Sequence, residues 1–357
     1  MKKQSIYNKE SVFIIAEMAW SHDGSVDNAQ KIIKGAAEAK ADAVSFHITD
    51  VSSYMVKDYG RTSDKSSFAW QTLAEKEEKT SVYDYLEKLN LKEKDWGELF
   101  PFARNLGLKI CAMPNDNKSL ELCKRLSPDY YVVGPACFGD EDFVAKIAGE
   151  KKPVILRIGG AAFSEIKETV DLIKKNGNQE IILLHGIQLY PTKIEDINLR
   201  LIPCLEKTFE AAVGLADHID GDSELALIVP LLALPLGAKV IEKHLTYNRD
   251  FKGEDYEAAL DPEGFKKFVR LIREAEKSLG DSYFKELSEA EIKYRELSKK
   301  RIVALRDIKK GEKITKENIA FKRANEGIFL QEIKKIIGKI ANYDIKKDTP
   351  ILWEKVK

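Results

Sequence analysis

The chain contains 357 residues, of which 44% are hydrophobic and 32% are charged, and its 58 basic residues balance 58 acidic ones. This hydrophobic content excludes an intrinsically disordered chain, and the lack of a basic surplus argues against nucleic acid as the main partner. The length predicts one large domain together with a small one.

The cysteine spacing and the distribution of apolar residues predict a cytoplasmic protein that does not contact membranes. The four cysteines are scattered without a C-x-x-C spacing, which favours a reducing compartment over a disulfide framework. The first ten residues carry charges where a secretory signal needs an apolar run. The most apolar stretch, 225–238, contains two prolines and is too short to span a bilayer.

Eight short apolar runs rich in Val and Ile recur along the chain, and each is followed by a stretch with helical spacing. The predicted strands are 12–16, 42–47, 108–112, 130–134, 153–157, 181–185, 212–216 and 239–243. Strands that are apolar on both faces and alternate with helices are typical of an α/β protein, and eight repeats predict a (β/α)8 TIM barrel. A doubly wound open sheet is the alternative, although no glycine-rich dinucleotide fingerprint follows the first strand.

The pattern changes after residue 280. We predict a barrel domain over 1–282, a charged, helix-prone linker over 283–300 and a small β-rich domain over 301–357. Within the barrel domain, the connection 49–107 is unusually long and polar. A connection of this kind fits either a lid over the active site or a plain surface insertion.

In a barrel the active site lies at the mouth, by which we mean the C-terminal ends of the strands and the loops that follow them. All five histidines of the chain follow predicted strands in this way: His22, His47, His185, His218 and His244. We therefore expect all five to face the mouth. His218 and His244 belong to adjacent strand ends and together could bind a divalent metal. The alternative is that each histidine only satisfies hydrogen bonds at a strand end.

Three carboxylates and one arginine accompany these histidines. Glu17 ends the first strand, and it is a catalytic candidate or else a structural ion-pair partner. Asp217 and Glu242 lie beside the two histidines as acid–base or metal-supporting candidates. Arg157 ends the fifth strand, and an arginine inside a barrel mouth needs either an anionic ligand or a neighbouring carboxylate.

Several segments occur in the order found in the sialic acid (N-acetylneuraminate) synthase family, which the chain resembles over most of its length. They begin at Phe13 (Phe-Ile-Ile-Ala-Glu-Met-Ala-Trp-Ser-His-Asp-Gly-Ser), Leu183 (Leu-Leu-His), Tyr190 (Tyr-Pro-Thr), Gly214 (Gly-Leu-Ala-Asp-His), Ile241 (Ile-Glu-Lys-His-Leu-Thr) and Val303 (Val-Ala-Leu-Arg-Asp-Ile). The last segment resembles the antifreeze-like (SAF) domain that ends these synthases.

The resemblance implies a metal-assisted condensation of phosphoenolpyruvate with an open-chain acylamino sugar. It further implies a domain-swapped homodimer in which the SAF domain caps the active site of the partner. The metal, Mn²⁺ or Mg²⁺, would be held by His218 and His244 and would polarise the sugar aldehyde. The other positions implied for the substrate are His47, Arg157, Gln188, Tyr190, Glu242, Asp255 and Arg323.

The chain departs from the family pattern on the phosphoenolpyruvate side of the site. The substituted positions are Ser45 and His47 for a lysine and a glutamine, Met113 for a threonine, Cys137 for a carboxylate, Arg157 for a serine, Gln188 for an asparagine and Ala216 for a serine. Two functions therefore stay open. One is a nonulosonic acid synthase that uses phosphoenolpyruvate, and the other is a repurposed metal-dependent enzyme of aldolase, lyase or epimerase type that does not. A non-catalytic sugar-binding relative is the third reading, against which the retained histidine pair argues.

Overall fold

Eight parallel strands close into a barrel in the computed structural model, which describes residues 11–59, 81–280 and 286–357. The strands are β1 Phe13–Glu17, β2 Ala43–Ile48, β3 Lys109–Pro114, β4 Tyr130–Val133, β5 Val154–Arg157, β6 Ile181–His185, β7 Ala212–Asp217 and β8 Val240–His244. Each strand pairs with the next, and β8 returns to β1 with Glu17 opposite His244. The predicted TIM barrel is confirmed, and the open sheet is excluded.

Amphipathic helices connect the strands. They are α1 Val26–Glu38, α2 Val51–Tyr54, α3 Val82–Leu89, α4 Glu93–Asn105, α5 Asn117–Leu126, α6 Glu141–Gly149, α7 Phe163–Lys175, α8 Leu201–Phe209, α9 Leu225–Ala233 and α10 Pro262–Leu279. Many begin at a residue whose side chain accepts a hydrogen bond from the first turn, as Ser25, Asp116 and Asp261 do. No helix among the described residues is long and apolar enough to cross a membrane.

Alternation along each strand decides which side chains enter the barrel. The inward-facing apolar residues form one cluster: Phe13, Ile15, Ala43, Cys111, Met113, Tyr130, Val132, Ile155, Ile182, Leu184, Ala212, Ala216 and Val240. The intervening strand residues pack outward against the helices in a second, larger cluster. By the same alternation, Glu17, Glu242 and His244 lie inside the barrel, whereas Asp217 lies outside it.

Residues 60–80 of the long connection between β2 and β3 lie outside the described residues, so the proposed lid stays a prediction. The described parts of this connection form α2, α3 and α4. Helices α2 and α3 share a small apolar cluster built around Val51, Tyr85 and Leu86. Both helices belong to the barrel unit, and Trp20, from the loop after β1, packs against their cluster.

A second compact unit begins at residue 281 and has a hydrophobic core of its own. It contains the helix α11 Glu289–Ser298, which lies in the predicted linker, and the antiparallel strands β9 Lys300–Ala304 and β10 Ile319–Arg323. A short helix, α12 Ile333–Ile336, follows. The core of this C-terminal unit consists of Ile302, Ala304, Ile308, Ile314, Ile319, Ile328, Ile336, Ala341, Ile345, Ile351 and Val356. The expected small β-rich region is present.

Candidate active site

A buried ion-pair network occupies the interior of the barrel mouth. Strand β5 lies four strands away from β1 around the barrel, so the long side chain of Arg157 reaches across the lumen. Its Nη2 contacts Oε2 of Glu17 and donates to Oε2 of Glu242 at 2.9 Å. The side chains of Glu17 and Glu242 are 0% and 1% exposed. The partner that Arg157 needs is therefore supplied, from within the protein, by two carboxylates.

His47 completes this network as a neutral side chain. Its Nε2 lies 2.8 Å from Nη1 of Arg157 and 3.5 Å from Oε1 of Glu17. Burial lowers the pKa of His47 to about 4, so the ring is neutral at neutral pH and Nε2 accepts a hydrogen bond from the guanidinium N–H. His47 thus adds no positive charge to the mouth at neutral pH.

His218 and His244 lie side by side, with ring centroids 5.2 Å apart. The Nδ1 of His218 lies 2.7 Å from the carbonyl oxygen of Ile187. This contact assigns the proton to Nδ1 and leaves the lone pair on Nε2, as in metal-binding histidines. Burial lowers the pKa of His218 to about 3 and that of His244 well below its usual value. Both rings are therefore neutral, which is the state that binds metals.

The surroundings of His244 fit a metal ligand. Both of its ring nitrogens are buried without a hydrogen-bond partner, and the nearest carboxylate oxygen, Oδ2 of Asp255, is 3.8 Å from Nδ1. An unsatisfied buried polar group is costly and calls for a ligand. Among the described residues no cluster of three or more His, Cys, Asp or Glu could hold a metal. Among these residues, His218 and His244 are therefore the two side chains that could hold a metal ion.

Tyr190, Gln188 and Asp255 border the histidine pair. The ring of Tyr190 lies 4.4 Å from that of His218, and its hydroxyl donates to Oε1 of Gln188 at 2.6 Å. Burial, followed by the charge of Glu257, raises the pKa of Asp255 to about 7. A carboxyl group with this pKa is partly protonated at neutral pH and can give or take a proton.

The barrel unit and the C-terminal unit each match the model of a known protein family. The NeuB family model matches residues 32–283, and the SAF domain model matches residues 300–357. The chain belongs to the NeuB family. The resemblance to the sialic acid synthases and to their C-terminal SAF domain is thereby confirmed.

Relatives of this NeuB-family chain include synthases of nonulosonic acids. A pseudaminic acid synthase of Campylobacter jejuni is 34% identical, covering 94% of each chain. An N,N'-diacetyllegionaminic acid synthase of Legionella pneumophila is 31% identical over 97% of this chain and 94% of its own. The crystal structure of an N-acetylneuraminic acid synthetase from Leptospira borgpetersenii, in complex with citrate, is 27% identical with a TM-score of 0.67, covering 80% of this chain and 91% of its own.

Asp217 is placed differently from our expectation for a residue beside the metal pair. It follows the inward-facing Ala216 and points out of the barrel, where Lys243 donates to its Oδ2 at 2.7 Å. Lys243 also donates to the carbonyl oxygen of Ile219 at 2.8 Å, and its side chain is 0% exposed. The geometry makes Asp217 part of a buried structural ion pair between β7 and β8, and not a group at the mouth.

The expectation that all five histidines face the mouth is wrong for His185. His185 follows the inward-facing Leu184, so its ring points outward, and its Nε2 lies 2.7 Å from the carbonyl oxygen of Ile197. His22 lies in the loop after β1, and its ring packs edge-on against Trp96. His185 therefore satisfies local structure, while His47, His218 and His244 line the mouth and His22 lies in one of its loops.

The barrel unit thus brings nine predicted site residues together: Glu17, His47, Arg157, Gln188, Tyr190, His218, Glu242, His244 and Asp255. Arg323 belongs to the C-terminal unit, where it is exposed on β10 and donates to the carbonyl oxygen of Leu297 at 3.0 Å. Sequence reasoning missed Glu254, a buried residue whose Oε2 accepts from the hydroxyl of Tyr85 at 3.2 Å. Its position next to Asp255 was the available signal.

Proposed function

We propose that this chain is a metal-assisted enzyme acting at the carbonyl carbon of an open-chain acylamino sugar, or of the nonulosonic acid to which that sugar corresponds. The observation that carries the proposal is the pair of unpartnered ring nitrogens of His244 beside the free Nε2 of His218. A divalent cation such as Mn²⁺ or Mg²⁺, when bound by these two rings, would supply Lewis-acid polarisation of a carbonyl oxygen.

Residues around the proposed cation have separate roles in this scheme. Oε1 of Glu242 is buried without a partner, so it can accept a hydrogen bond or a proton from a sugar hydroxyl. Asp255, with its pKa near 7, can exchange a proton with a sugar oxygen. Tyr190 and Gln188 form a polar wall that orients the sugar chain.

One candidate reaction is the condensation of phosphoenolpyruvate with the sugar aldehyde. In this reaction C3 of phosphoenolpyruvate bonds to the aldehyde carbon, and the aldehyde oxygen takes up a proton. Water adds to C2, and inorganic phosphate leaves, giving a 3-deoxy-2-keto acid. Support comes from the membership of the chain in the NeuB family. It also comes from relatives that are synthases and whose similarity extends over 94% and 97% of this chain.

The second candidate reaction is carbonyl chemistry on the sugar acid without phosphoenolpyruvate. In cleavage of this kind a base accepts the proton of the C4 hydroxyl, the C3–C4 bonding pair passes to C3, and C3 takes up a proton. The products are pyruvate and the open-chain sugar, and no other reactant is consumed. An epimerisation of the open-chain amino sugar, in which a base removes the proton from the carbon next to the carbonyl and a proton returns to the opposite face, is a variant of this chemistry. A specific observation favours the second candidate, since Arg157 is already bound to two carboxylates.

The two reactions release different products. We expect assays with Mn²⁺ to detect either phosphate, from phosphoenolpyruvate and a panel of acylated mannosamine-type sugars, or pyruvate, from finished nonulosonic acids. His244→Ala serves as the inactive control in both assays. If neither substrate set is turned over in a metal-dependent way, the proposed function is contradicted.

Metal binding itself is predicted to depend on the histidine pair. We expect Mn²⁺ to bind the native chain and to raise its thermal unfolding temperature, with stabilisation of about 2.7 kcal/mol at a free concentration one hundred times the dissociation constant. His218→Ala and His244→Ala should abolish both the binding and the shift, as measured by electron paramagnetic resonance and calorimetry. His185→Gln, which changes an outward-facing ring, is the matched control. Undiminished Mn²⁺ binding in both alanine variants would disprove the assignment.

We also propose a homodimer in which the SAF domain of one protomer caps the mouth of the other, as the resemblance implies. In this dimer Arg323 would reach the substrate of the partner, and its exposure on β10 supports this role. Mixing Arg323→Ala protomers with His244→Ala protomers should recover activity that neither variant has alone, because the mixed dimer contains one mouth with both native residues. A mixture that stays inactive argues against capping between protomers.

A further inference from the structure

A single lysine side chain connects the two strand ends that carry the paired histidines. Lys243 lies in β8 and immediately precedes His244. Its Nζ donates to Oδ2 of Asp217 at 2.7 Å and to the carbonyl oxygen of Ile219 at 2.8 Å. Asp217 and Ile219 are the residues on either side of His218, so one ammonium group holds the backbone of His218 from both flanks.

Further bonds fix the segment 217–219 around this ion pair. The backbone N–H of Ile219 donates to the carboxylate of Asp217, and the carbonyl oxygen of His218 accepts from the backbone N–H of Thr192 at 2.8 Å. Asp217 and Lys243 are also register partners where β7 pairs with β8. Their side chains are 1% and 0% exposed, so water cannot replace either partner while the barrel stays packed.

The two histidine rings differ in what orients them. The Nδ1 of His218 is bonded to the carbonyl oxygen of Ile187, whereas within the described chain neither ring nitrogen of His244 has a hydrogen-bond partner. The ring of a metal-binding histidine is commonly fixed by a hydrogen bond from its second nitrogen. The ring of His244 instead depends on packing edge-on against Tyr190, at 5.4 Å between centroids, and on the backbone that Lys243 anchors.

The strand ends that carry other mouth residues are built differently. Their flanking positions are apolar members of the outer core: Ala16 and Met18 around Glu17, Phe46 and Ile48 around His47, and Leu156 and Ile158 around Arg157. A buried ion pair gives little net stability compared with apolar residues of similar size, but its directional bonds can fix one geometry. The charged pair therefore lies where geometry matters most for two ligands of one ion.

We propose that the Asp217–Lys243 ion pair positions His218 and His244 for a shared divalent cation, so that the two ligands are already in place in the metal-free chain. Asp217 and Lys243 point out of the barrel and act through the histidines, which makes both of them positioning residues. This inference rests on the metal-assisted function proposed above and adds two determinants of metal affinity to it.

Mn²⁺ affinity, measured beside stability, tests this inference, because a purely structural pair would affect stability alone. In the double variant with Lys243→Met and Asp217→Leu no lone buried charge remains, so the metal-free chain should keep most of its stability in chemical denaturation. We nevertheless expect this variant to bind Mn²⁺ about tenfold or more weakly than the native chain in isothermal titration, since its histidines are no longer held in place.

Arg273→Met is the matched control, because it breaks an ion pair at the opposite end of the barrel. Arg273 bonds to Asp42, which precedes β2, and to the carbonyl oxygen of Val12 at 2.6 Å. This variant should lose stability, yet its Mn²⁺ affinity should stay within about twofold of the native value. If the control and the double variant lose affinity equally, the effect is a general loosening of the barrel and the inference is overturned.

Hydrogen exchange of the native chain without metal needs no variant to fold. The amides of Ile219 and Leu245 donate to the carboxylate of Asp217 and to the carbonyl oxygen of Glu17. Although strand ends usually open more readily than strand centres, we expect both amides to exchange within about tenfold of those in the middle of β7 and β8. Amides that are protected only after Mn²⁺ is added contradict a site held ready by the ion pair.

The titrations also separate this inference from the proposed function. A native chain that binds Mn²⁺, together with a folded double variant that binds it equally well, contradicts the inference alone. A native chain that does not bind Mn²⁺ contradicts the metal-assisted function, and the inference with it.

Discussion

Replacing Lys243 by Met is expected to lower the free energy of unfolding by about 3–5 kcal/mol, because it leaves a buried carboxylate without its counter-ion. Lys243 and Asp217 are 0% and 1% exposed and bond at 2.7 Å between β7 and β8. Neither charge can turn to solvent without opening the packing between the barrel and its helices. Chemical denaturation of the native chain and the variant measures the loss.

The pH dependence of this loss has a definite sign. Burial raises the pKa of Asp217, and Lys243 opposes that shift. Without Lys243 the folded-state pKa rises further above the unfolded value, so the folded variant binds more protons and loses stability as the pH rises through that range. We therefore expect a smaller deficit at about pH 5 than at about pH 8.

Two further variants serve as controls for the buried pair. The double variant with Lys243→Met and Asp217→Leu should recover most of the loss, because no lone charge remains. Lys167→Met, which removes an exposed ion pair with Asp171, should change stability by less than about 1 kcal/mol. If the single Lys243→Met variant is as stable as this surface variant, the pair does not support the barrel in the way that its burial indicates.

The fold was predictable from the sequence because the strand–helix alternation is regular. Each of the eight apolar runs that were predicted as strands coincides with a barrel strand to within a residue or two, as 181–185 and Ile181–His185 do. The SAF domain was predictable for a different reason, since the segment from Val303 resembles a known domain. The structure adds α11 in the predicted linker, where a charged sequence left the helix bounds open.

The orientation of the strand-end residues was not predictable from hydrophobicity. Barrel strands are buried on both faces, so inward and outward positions are equally apolar and the period-two signal disappears. That is why Asp217 and His185 were expected at the mouth although each lies one residue beyond an inward-facing position. The register of β7 against β8, with Ala216 opposite Glu242, decides the orientation.

The ion-pair partners of Arg157 could not be predicted from the sequence, and the reason is geometric. Arg157 is 140 residues away in sequence from Glu17, and whether its side chain spans the lumen depends on barrel closure rather than on any local pattern. The barrel contains two separate buried ion-pair systems, one on each side of its strands. Asp217 with Lys243 neutralise each other outside the strands, whereas Arg157 faces two carboxylates inside them.

Replacing Arg157 by Met is the second large effect that we expect, with a loss of about 3–5 kcal/mol in the free energy of unfolding. The substitution keeps an unbranched side chain in the lumen but leaves Glu17 and Glu242 buried near each other without a counter-ion. Two like charges in one buried site repel, in addition to the desolvation that each suffers. Thermal and chemical unfolding, read by circular dichroism, measure the loss.

Second-site changes distinguish lost charge compensation from lost packing in this variant. Adding Glu17→Gln or Glu242→Gln to Arg157→Met should restore part of the stability, because one buried charge is removed in each case. Arg125→Met, which breaks the exposed pair with Glu93, should cost less than about 1 kcal/mol. If neither glutamine restores stability, Arg157 supports the barrel through its contacts with Met113 and the lumen wall, and the two carboxylates do not depend on its charge.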